Sequence, residues 1–424
     1  MKKIKLVVIG AGGRGRTYTS KMDKERFEIV AVAEPNIERR NIFKELHNIP
    51  DEMCFDSYEQ LLDLPKFADV AMITTTDSLH YAPAMKAIEK GYHLLLEKPV
   101  APTPQECVDI ANFAREKGVK VMVCHVLRYT KFFLKIKEMI DNGDLGEVIS
   151  IHHSENVGNL HHSHSYVRGN WGNSTRSSNM LLAKSCHDID ILQWLIGSKC
   201  KNVQSFGLLS HFRSENAPEG APEYCMDGCP HKDTCYYDTG FIYAKGVDNN
   251  FNRHVFQKSE VSDEENERVL RSTQYGKCVY KCDNDVVDHQ VVNLEYENGT
   301  LVSFNMCAFN EGGRYIRVMG TNGEVYGEMD RNTLDYYDFR TREHTTIRPW
   351  EKNLTGSIIH GHGGGDDAMV ESLYRYIAED YKDETISEID ISVESHLTVF
   401  AAEESRHNNV VVNVNDYKKK LGLK

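Results

Sequence analysis

The stretch Ile4-Lys5-Leu6-Val7-Val8-Ile9-Gly10-Ala11-Gly12-Gly13-Arg14-Gly15 decides how the first part of this chain folds. A short apolar run, typical of a buried strand, leads directly into a G-x-G-x-x-G pattern. In such a pattern the first glycine permits a tight turn, the second lets a pyrophosphate approach the backbone, and the third allows close helix packing. The stretch predicts a dinucleotide site whose cofactor contacts include Gly10, Ala11, Gly12, Gly13, Arg14 and Gly15.

An acidic residue at the end of the next apolar run supports this interpretation over a merely flexible glycine loop. Glu34 follows Gly15 by 19 residues, the spacing at which a carboxylate accepts hydrogen bonds from the adenosine ribose. The same carboxylate would repel a 2′-phosphate, so the sequence favours NAD over NADP. Arg39 and Arg40 could bind such a phosphate, but they are more simply explained as solvated surface charges.

Apolar β-type runs alternate with amphipathic helical stretches as far as residue 124. The predicted strands are Ile4–Ile9, Phe27–Ala33, Val70–Thr74, His93–Leu96 and Val121–Cys124, and the predicted helices include Ile37–Leu46, His80–Lys90 and Pro104–Lys117. Strands that are apolar throughout and alternate with helices indicate a parallel sheet covered on both faces. We therefore predict an α/β fold whose first domain, residues 1–125, is a doubly wound NAD-binding Rossmann domain.

The pattern changes after residue 125. Runs with period-two alternation flank Asn298-Gly299 and Asn322-Gly323, which are strong signals for short β-hairpins. We predict a second domain over residues 126–424, an α+β domain built on an open, predominantly antiparallel sheet that carries the substrate and oligomerisation surfaces.

Composition excludes several classes of protein. The 424 residues exceed the ~250–300 at which a single core stops growing, and 40% hydrophobic with 27% charged residues is ordinary for a globular chain. A net charge of −13 without a long basic run makes nucleic acid an unexpected partner. No apolar run approaches the ~20 residues that span a bilayer. The short apolar run near Met1 does not resemble a secretory signal, so we expect a cytoplasmic protein with reduced thiols.

The strand His93–Leu96 leads directly into Glu97-Lys98-Pro99, and several later segments complete a family pattern. These segments are Thr74-Thr75-Thr76-Asp77-Ser78-Leu79-His80, Arg128-Tyr129, Gly143-Asp144-Leu145-Gly146-Glu147-Val148 and Met319-Gly320-Thr321-Asn322-Gly323-Glu324. With them the chain resembles the Gfo/Idh/MocA family of glucose-fructose oxidoreductase and inositol dehydrogenase relatives over most of its length.

The resemblance implies hydride transfer between NAD and a hydroxyl-bearing carbon of a sugar or cyclic polyol. It places Lys98 beside the nicotinamide, where it exchanges a proton with the substrate hydroxyl, and in relatives the bond to the following proline is often cis. The further cofactor contacts that it implies are Thr75, Thr76, His80 and Glu97. It also implies a homodimer or homotetramer built on one face of the second sheet.

A second catalytic position is expected on a helix running from about Met180 to Ile196. The family carries a catalytic His here, which is His187, with an Asp four residues earlier. This chain has Ala183 at the Asp position, so Lys184 becomes the nearest polar neighbour on that helix face. A lysine there would lower the proton affinity of His187 and could hold a substrate oxygen or share in proton transfer.

A loop rich in hydrogen-bonding groups precedes this helix. Aromatic rings can stack on a sugar ring, while arginine and histidine can bind hydroxyls or a carboxylate. The predicted substrate contacts are His161, His164, Tyr166, Arg168, Trp171, Asp188 and, from the glycine-rich stretch 360–365, His362. The histidines of the loop also admit a metal site, but no His-x-x-x-His helix or paired carboxylate supports one.

Five cysteines cluster in a polar insertion at about residues 210–285. They are Cys225, Cys229, Cys235, Cys278 and Cys282. Clustered thiolates in a reduced compartment suggest a structural zinc or iron–sulfur centre with four ligands drawn from the five. Because the spacings differ from the common C-x2-C, a disulfide or free thiols remain alternatives.

The leading functional hypothesis is an NAD-dependent dehydrogenase that acts on the CH–OH group of a sugar, polyol or sugar derivative. One alternative is a glycosidase that uses tightly held NAD for transient oxidation, elimination and re-reduction, as some relatives do. The other is a non-catalytic NAD-binding regulator, and the presence of both Lys98 and His187 argues against it.

Overall fold

Two β-sheets organise the residues that the computed structural model describes, namely 3–244, 255, 262–350 and 364–423. The strands are β1 (Ile4–Ile9), β2 (Phe27–Ala33), β3 (Cys54–Phe55), β4 (Val70–Ile73), β5 (His93–Leu96), β6 (Val121–Val123), β7 (Val148–Asn156), β8 (Cys200–Leu208), β9 (His289–Tyr296), β10 (Leu301–Cys307), β11 (Gly313–Gly320), β12 (Gly323–Glu328), β13 (Thr333–Asp338), β14 (His344–Ile347) and β15 (Val412–Asn413). The α-helices are α1 (Gly13–Ser20), α2 (Ile37–His47), α3 (Tyr58–Asp63), α4 (Tyr81–Glu89), α5 (Pro104–Lys117), α6 (Lys131–Asp141), α7 (Asn159–His162), α8 (Met180–Ala183), α9 (Cys186–Ile196), α10 (Asp263–Ser272), α11 (Gly365–Ala378), α12 (Ile389–Asn408) and α13 (Val414–Lys420).

The first sheet is parallel, with strand order β3-β2-β1-β4-β5-β6. Its central strands are buried almost throughout because helices cover both faces. Local sequence fixes the ends of these helices: at α5, Thr103 caps the first turn by accepting a hydrogen bond from Glu106 N–H, and Gly118 ends the helix in the left-handed conformation. The strand order reverses between β1 and β4, so a cofactor crevice forms there, as the predicted doubly wound fold requires.

The second sheet has nine strands in the order β14-β13-β12-β11-β7-β10-β9-β8-β15. Only β7 and β10 pair in parallel, and the other neighbours are antiparallel, which confirms the predicted open, mostly antiparallel sheet. Residues alternate between the two faces: Val292 and Phe304 are buried, whereas Val291 and Leu301 are exposed. The exposed face is the surface on which a homodimer or homotetramer is predicted.

The chain returns to the cofactor sheet after residue 364. Met369, Val370 and Leu373 of α11 pack in one core with Ile4 and Leu6 of β1. The division of the chain at residues 125 and 126 stays a prediction, and the core of the cofactor sheet draws on both sides of it.

The insertion at about residues 210–285 packs around two small cores of its own. In the first, Phe212, Tyr237 and Val279 are buried together, and in the second, Tyr243 packs with Leu270 of α10. Both cores adjoin the predicted substrate loop, because Val167 belongs to the first and Leu160 borders the second.

The predicted metal centre is not supported. Cys225, Cys229, Cys235 and Cys278 line one cavity of about 20 Å³, but all five clustered cysteines are free thiols. Within the described ranges, no group of three or more His, Cys, Asp or Glu side chains is arranged to hold a metal ion.

Among the residues described, no helix is long and apolar enough to cross a membrane. The predicted contact at His362 lies outside the described residues.

Candidate active site

The glycine loop after β1 leaves room for a pyrophosphate at the predicted place. Gly10 has a φ of +97°, and a Cβ on it would lie 2.8 Å from the carbonyl carbon of Thr74. A Cβ on Gly15 would lie 2.4 Å from the Gly10 carbonyl oxygen, so α1 can approach the loop only with glycine there. A Cβ on Gly12 would meet nothing within 4 Å. The loop is therefore tight on its inner side and open on the side that faces the crevice, which fits a dinucleotide.

Glu34 lies beside this loop, at the end of β2. Its carboxylate accepts hydrogen bonds from Ala11 N–H at 2.8 Å and from Asn36 N–H at 3.0 Å, and the residue is 5% exposed. The negative charge is thus held at the edge of the pocket in which an adenosine ribose would lie.

The side chains of Arg14 and Glu97 bind each other. Arg14 Nε lies 2.9 Å from Glu97 Oε1, and Arg14 Nη2 lies 2.9 Å from Asp366 Oδ1 of α11. Tyr18 Oη also donates to Glu97, at 2.6 Å. Burial favours the neutral carboxyl, but the charges of Arg14 and Lys98 outweigh it, and the pKa of Glu97 lies below its usual value. These two side chains brace the glycine loop against the Lys98 segment, and their cofactor contacts stay a prediction.

The predicted cofactor loop at residues 75–80 follows β4. Thr75 Oγ1 donates to Leu79 O at 2.9 Å, and Thr76 begins the short turn that follows. The His80 ring nitrogens lie 2.7 Å from Pro99 O and 3.2 Å from Thr75 O, and the residue is 1% exposed. His80 therefore joins this loop to the Lys98-Pro99 segment. The Lys98–Pro99 peptide bond is cis, as the resemblance implies.

Lys98 reaches from the cofactor sheet into the second half of the molecule. Its Nζ donates to the main-chain oxygen of Ala183 at 2.8 Å. Ala183 is the last residue of α8, and His187 lies in the first turn of α9, four residues later. Lys98, which follows β5, therefore contacts the main chain four residues before His187, which belongs to α9.

The predicted continuous helix from Met180 to Ile196 is wrong. The structure interrupts it at Lys184 and Ser185, and Ser185, with a ψ of 6°, is the N-cap of α9. The break turns Lys184 toward β7, where its Nζ lies 3.1 Å from Glu155 Oε1. Burial lowers the pKa of Lys184, with Glu155 acting in the opposite direction. Its ion-pair partner is thus a carboxylate that the sequence did not indicate.

Asp188 was predicted to bind substrate, and the structure corrects this. The residue is 0% exposed, and its carboxylate lies 2.8 Å from both His153 Nε2 and Arg314 Nε. Burial alone would raise the pKa of Asp188, but the Arg314 guanidinium and His153 hold it well below its usual range. Arg314 also pairs with Glu155, the cross-strand partner of Arg314 between β7 and β11. Asp188 therefore anchors α9 to the sheet beneath the crevice.

Three residues of the predicted substrate loop form an aromatic wall. The ring centroid of Tyr166 lies 5.9 Å from that of His161 and 6.2 Å from that of Trp171. Desolvation, aided by the charge of Lys184, lowers the pKa of His161 well below its usual value. A neutral imidazole next to two large rings suits a neutral hydroxyl-bearing ligand.

Asp77, which the sequence did not single out, ties this wall to the cofactor sheet. Its carboxylate accepts hydrogen bonds from Trp171 Nε1 at 3.1 Å, Ser177 Oγ at 2.7 Å and Ser178 Oγ at 3.2 Å. The residue lies in the loop after β4, so the substrate loop and the cofactor loop are held together at the mouth of the crevice.

Two other predicted substrate contacts face the insertion instead. His164 Nδ1 lies 2.8 Å from Tyr243 Oη, and its ring stacks on Tyr275 with centroids 5.0 Å apart. Arg168 is 1% exposed and donates to Lys277 O at 2.8 Å and Tyr237 O at 2.7 Å. Residues 163–168 form a π-helical turn, which directs neighbouring side chains to opposite sides. These two side chains hold the insertion to the loop and do not line the crevice.

Sequence reasoning also missed the charged residues buried beneath the site, Glu155, Arg314, Arg128 and Asp190. Arg128 Nε and Nη2 lie 2.6 and 2.7 Å from the two carboxylate oxygens of Asp190. A usable signal was present on the strands: Glu155 and Arg314 occupy the inward positions of alternating strands, where an unpaired charge is not tolerated.

Comparison with known families assigns both halves of the chain to one family. Residues 4–125 match the model described as "Oxidoreductase family, NAD-binding Rossmann fold", and residues 137–414 match "Oxidoreductase family, C-terminal alpha/beta domain". The chain belongs to the Gfo/Idh/MocA family. It is thus an NAD-binding oxidoreductase by family, and the resemblance seen in the sequence is confirmed.

Individual Gfo/Idh/MocA relatives are distant. The chain is 25% identical to the putative oxidoreductase YteT of Bacillus subtilis over 87% of this chain and 88% of that protein. It is 27% identical to 2,7-anhydro-N-acetylneuraminate hydratase of Escherichia coli, over 47% of this chain and 51% of that protein. It is 25% identical to inositol 2-dehydrogenase of Klebsiella pneumoniae, over 47% of this chain and 57% of that protein.

A solved structure shows the shared fold of the family. The oxidoreductase from Agrobacterium radiobacter, in complex with NAD+, L-tartaric acid and magnesium, superposes with a TM-score of 0.70 at 14% identity, covering 98% of this chain and all (100%) of that one.

Proposed function

We propose that this protein is an NAD-dependent dehydrogenase that acts on the CH–OH group of a sugar, a cyclic polyol or a sugar derivative. One observation carries the proposal: Lys98 Nζ lies 2.8 Å from the main-chain oxygen of Ala183, four residues before His187 in the sequence. Two groups able to carry a proton therefore approach one crevice from opposite sides, next to an open glycine loop.

When bound, NAD supplies the acceptor for a hydride from the substrate carbon. Gly12 and the N-terminus of α1 would hold its pyrophosphate, and Glu34 would hold the adenosine ribose. Lys98 and His187 accept the proton of the substrate hydroxyl and return it in the reverse reaction. An alcohol oxidised with that proton in place would become a positively charged carbonyl, and a positioned base typically contributes about 10²–10⁴-fold in rate by removing it.

The substrate class follows from the wall opposite the cofactor loop. Trp171 and Tyr166 offer ring faces to the C–H side of a sugar or cyclitol, and His161 offers a hydrogen bond to a hydroxyl. Lys184 lies beside His161 and is partly neutralised by Glu155. The proposed substrate is therefore a compact ring with several hydroxyls. The likeness to inositol 2-dehydrogenase supports this class.

A second candidate is a reaction with no net redox change, in which transient oxidation allows an elimination and addition of water before re-reduction. The likeness to 2,7-anhydro-N-acetylneuraminate hydratase favours it, and the glycosidase alternative belongs to the same class. The same two residues would serve both candidates. A non-catalytic regulator has no use for a proton-carrying pair at the crevice and is the least supported.

The discriminating experiment is a screen of the purified protein with NAD against inositols, hexoses, hexuronates and glycosides. Absorbance at the NADH band reports net oxidation, and product analysis reports hydrolysis or hydration. NADH formation with one ring polyol supports the dehydrogenase. Released aglycone or hydrated product without NADH supports the second candidate.

The catalytic assignment is tested with Lys98→Met. We expect turnover of the substrate found in the screen to fall about 10²–10⁴-fold, because the proton at the hydroxyl oxygen loses its acceptor. NAD affinity, measured by calorimetry, should stay within a few-fold. Lys24→Met removes an exposed lysine from the turn before β2 and should leave both quantities unchanged. Full activity in Lys98→Met would remove Lys98 from the mechanism.

A further inference from the structure

A buried histidine lies directly behind His187. His125 follows β6 and is 1% exposed. Its ring centroid is 5.6 Å from that of His187 with an interplanar angle of 79°, and 5.6 Å from that of His396 with an angle of 66°. Three imidazoles therefore form a row that runs from the crevice into the core, with His125 in the middle.

His125 is unusual in this row because neither of its ring nitrogens has a hydrogen-bond partner among the described residues. The nearest carboxylate oxygen, Asp190 Oδ1, lies 3.7 Å from Nε2, and Arg128 already binds both oxygens of that carboxylate. A buried polar group without a partner costs about 1–3 kcal/mol. Stability alone therefore does not account for an imidazole at this position.

Both ring nitrogens of His396, the inner member of the row, are hydrogen-bonded. Its Nδ1 donates to Ser392 O at 2.6 Å, and its Nε2 accepts from Val100 N–H at 3.0 Å. These two bonds fix its tautomer and support the backbone two residues after Lys98. His396 therefore cannot offer a nitrogen to His125, whose own tautomer no hydrogen bond fixes.

The groups that face His125 keep it neutral. Burial lowers the pKa of His125 to about 4, with Asp190 and Glu97 acting against this and Arg128 and Lys98 acting with it. A neutral imidazole has one N–H and one lone pair. Since no other partner fixes the tautomer, the ring can turn its lone pair toward a protonated neighbour and its N–H away from it.

We propose that His125 is a positioning residue that fixes the ring of His187 edge to face and raises its proton affinity. The lone pair and dipole of His125 favour the imidazolium form of His187, and the neutral form loses nothing because the tautomer can reverse. The inference rests on the proposed function only for the catalytic use of His187. The effect on proton affinity is a property of the folded chain and can be measured without substrate.

The test is a titration of His187 by NMR of the full-length protein labelled at histidine Cε1, with the resonance assigned by its loss in His187→Gln. In His125→Phe, the ring shape is kept and the nitrogens are removed. We expect the titration midpoint of His187 to move down by about 0.5–1 pH unit, a three- to tenfold loss of proton affinity. In His125→Gln, which keeps a donor and an acceptor, we expect a midpoint within a few tenths of a unit of the unmodified protein.

His125→Met serves as a second apolar replacement should the phenylalanine variant fail to fold. An unchanged midpoint in the folded apolar variant would overturn the proposal, and so would equal shifts in the apolar and glutamine variants. Where the screen yields a substrate, the acid limb of the kcat/KM profile should move to lower pH in His125→Phe by the same amount. If the His187 midpoint shifts as expected but the protein turns over none of the screened compounds, the inference about His125 stands and the proposed function is contradicted.

Discussion

The two walls of the crevice were built in different ways. On the cofactor wall, the site is formed by the backbone of one contiguous loop, residues 10–15, and by Glu34 at the end of the next strand. On the proposed substrate wall, the predicted contacts are side chains such as His161, Trp171 and His187, which come from separate turns and helices.

The difference explains how much of each wall the sequence can predict. The glycine loop needs only local conformation, so the pattern of glycines predicts where the open space lies. The substrate wall depends on which way each side chain turns. Asp188 adjoins His187 in the sequence, and Arg168 belongs to the predicted substrate loop. Both polar side chains are buried in contacts that stabilise the fold. The first prediction tests whether Asp188 stabilises the fold and does not bind the substrate.

Replacing Asp188 by Asn should have the largest effect on stability. Removing one member of a buried ion pair typically costs about 3–5 kcal/mol, because Arg314 would be left without its charge partner. The loss should be full at neutral pH and shrink only as the pH falls below about 4, since the depressed pKa of Asp188 stabilises the fold above the pKa of the unfolded chain and not below it. Urea unfolding at several pH values measures this loss in the free energy of unfolding.

The control is Asp390→Asn, which removes an exposed ion pair with Arg115 in the same half of the molecule. It should change the free energy of unfolding by no more than about 1 kcal/mol. Wild-type stability in Asp188→Asn, together with a raised KM for the substrate, would return Asp188 to the substrate wall and break the comparison.

The second prediction concerns the cofactor wall. Glu34→Ala removes a charged acceptor of hydrogen bonds, worth about 1.5–3 kcal/mol, so NAD should bind about ten- to a hundredfold more weakly. NADP should bind as before or more tightly, because the repulsion of its 2′-phosphate is gone. Calorimetry with both nucleotides checks this, and Glu38→Ala, an exposed acid on α2, is the matched control. An unchanged NAD to NADP ratio would take the ribose role away from Glu34.

The smallest expected effect concerns the hydrogen bonds that connect the two walls. Asp77→Ala breaks the three hydrogen bonds that hold the Trp171 loop to the cofactor loop. We expect KM for the substrate to rise about tenfold, near 1.4 kcal/mol, with a smaller change in kcat, because the aromatic wall is displaced while Lys98 stays in place. Ser78→Ala removes only a bond to Arg176 O and should change neither. A fall in kcat alone would show that Asp77 acts on the reaction instead of on the wall.

The buried charges beneath the site extend the comparison. Glu155 and Arg314 face each other across β7 and β11, and the sequence shows each as one polar residue in an alternating strand. Their pairing depends on the register of two strands that lie more than 150 residues apart in the chain. Period-two alternation predicts that each points inward, but it does not tell which strand lies next to which.

The sequence by itself determined the parallel first sheet, the glycine loop, the acidic residue at Glu34 and the antiparallel second sheet, because each follows from neighbouring residues and from local periodicity. It also placed Lys98 and His187 in one family pattern. Only the tertiary structure decided that the helix before His187 breaks at Lys184, that Asp188 and Arg168 are buried in contacts with other parts of the fold, and that the clustered cysteines form no metal site within the described residues. The physical reason is that a side chain in a packed interior goes where a partner of matching charge or shape lies, and those partners come from distant parts of the chain.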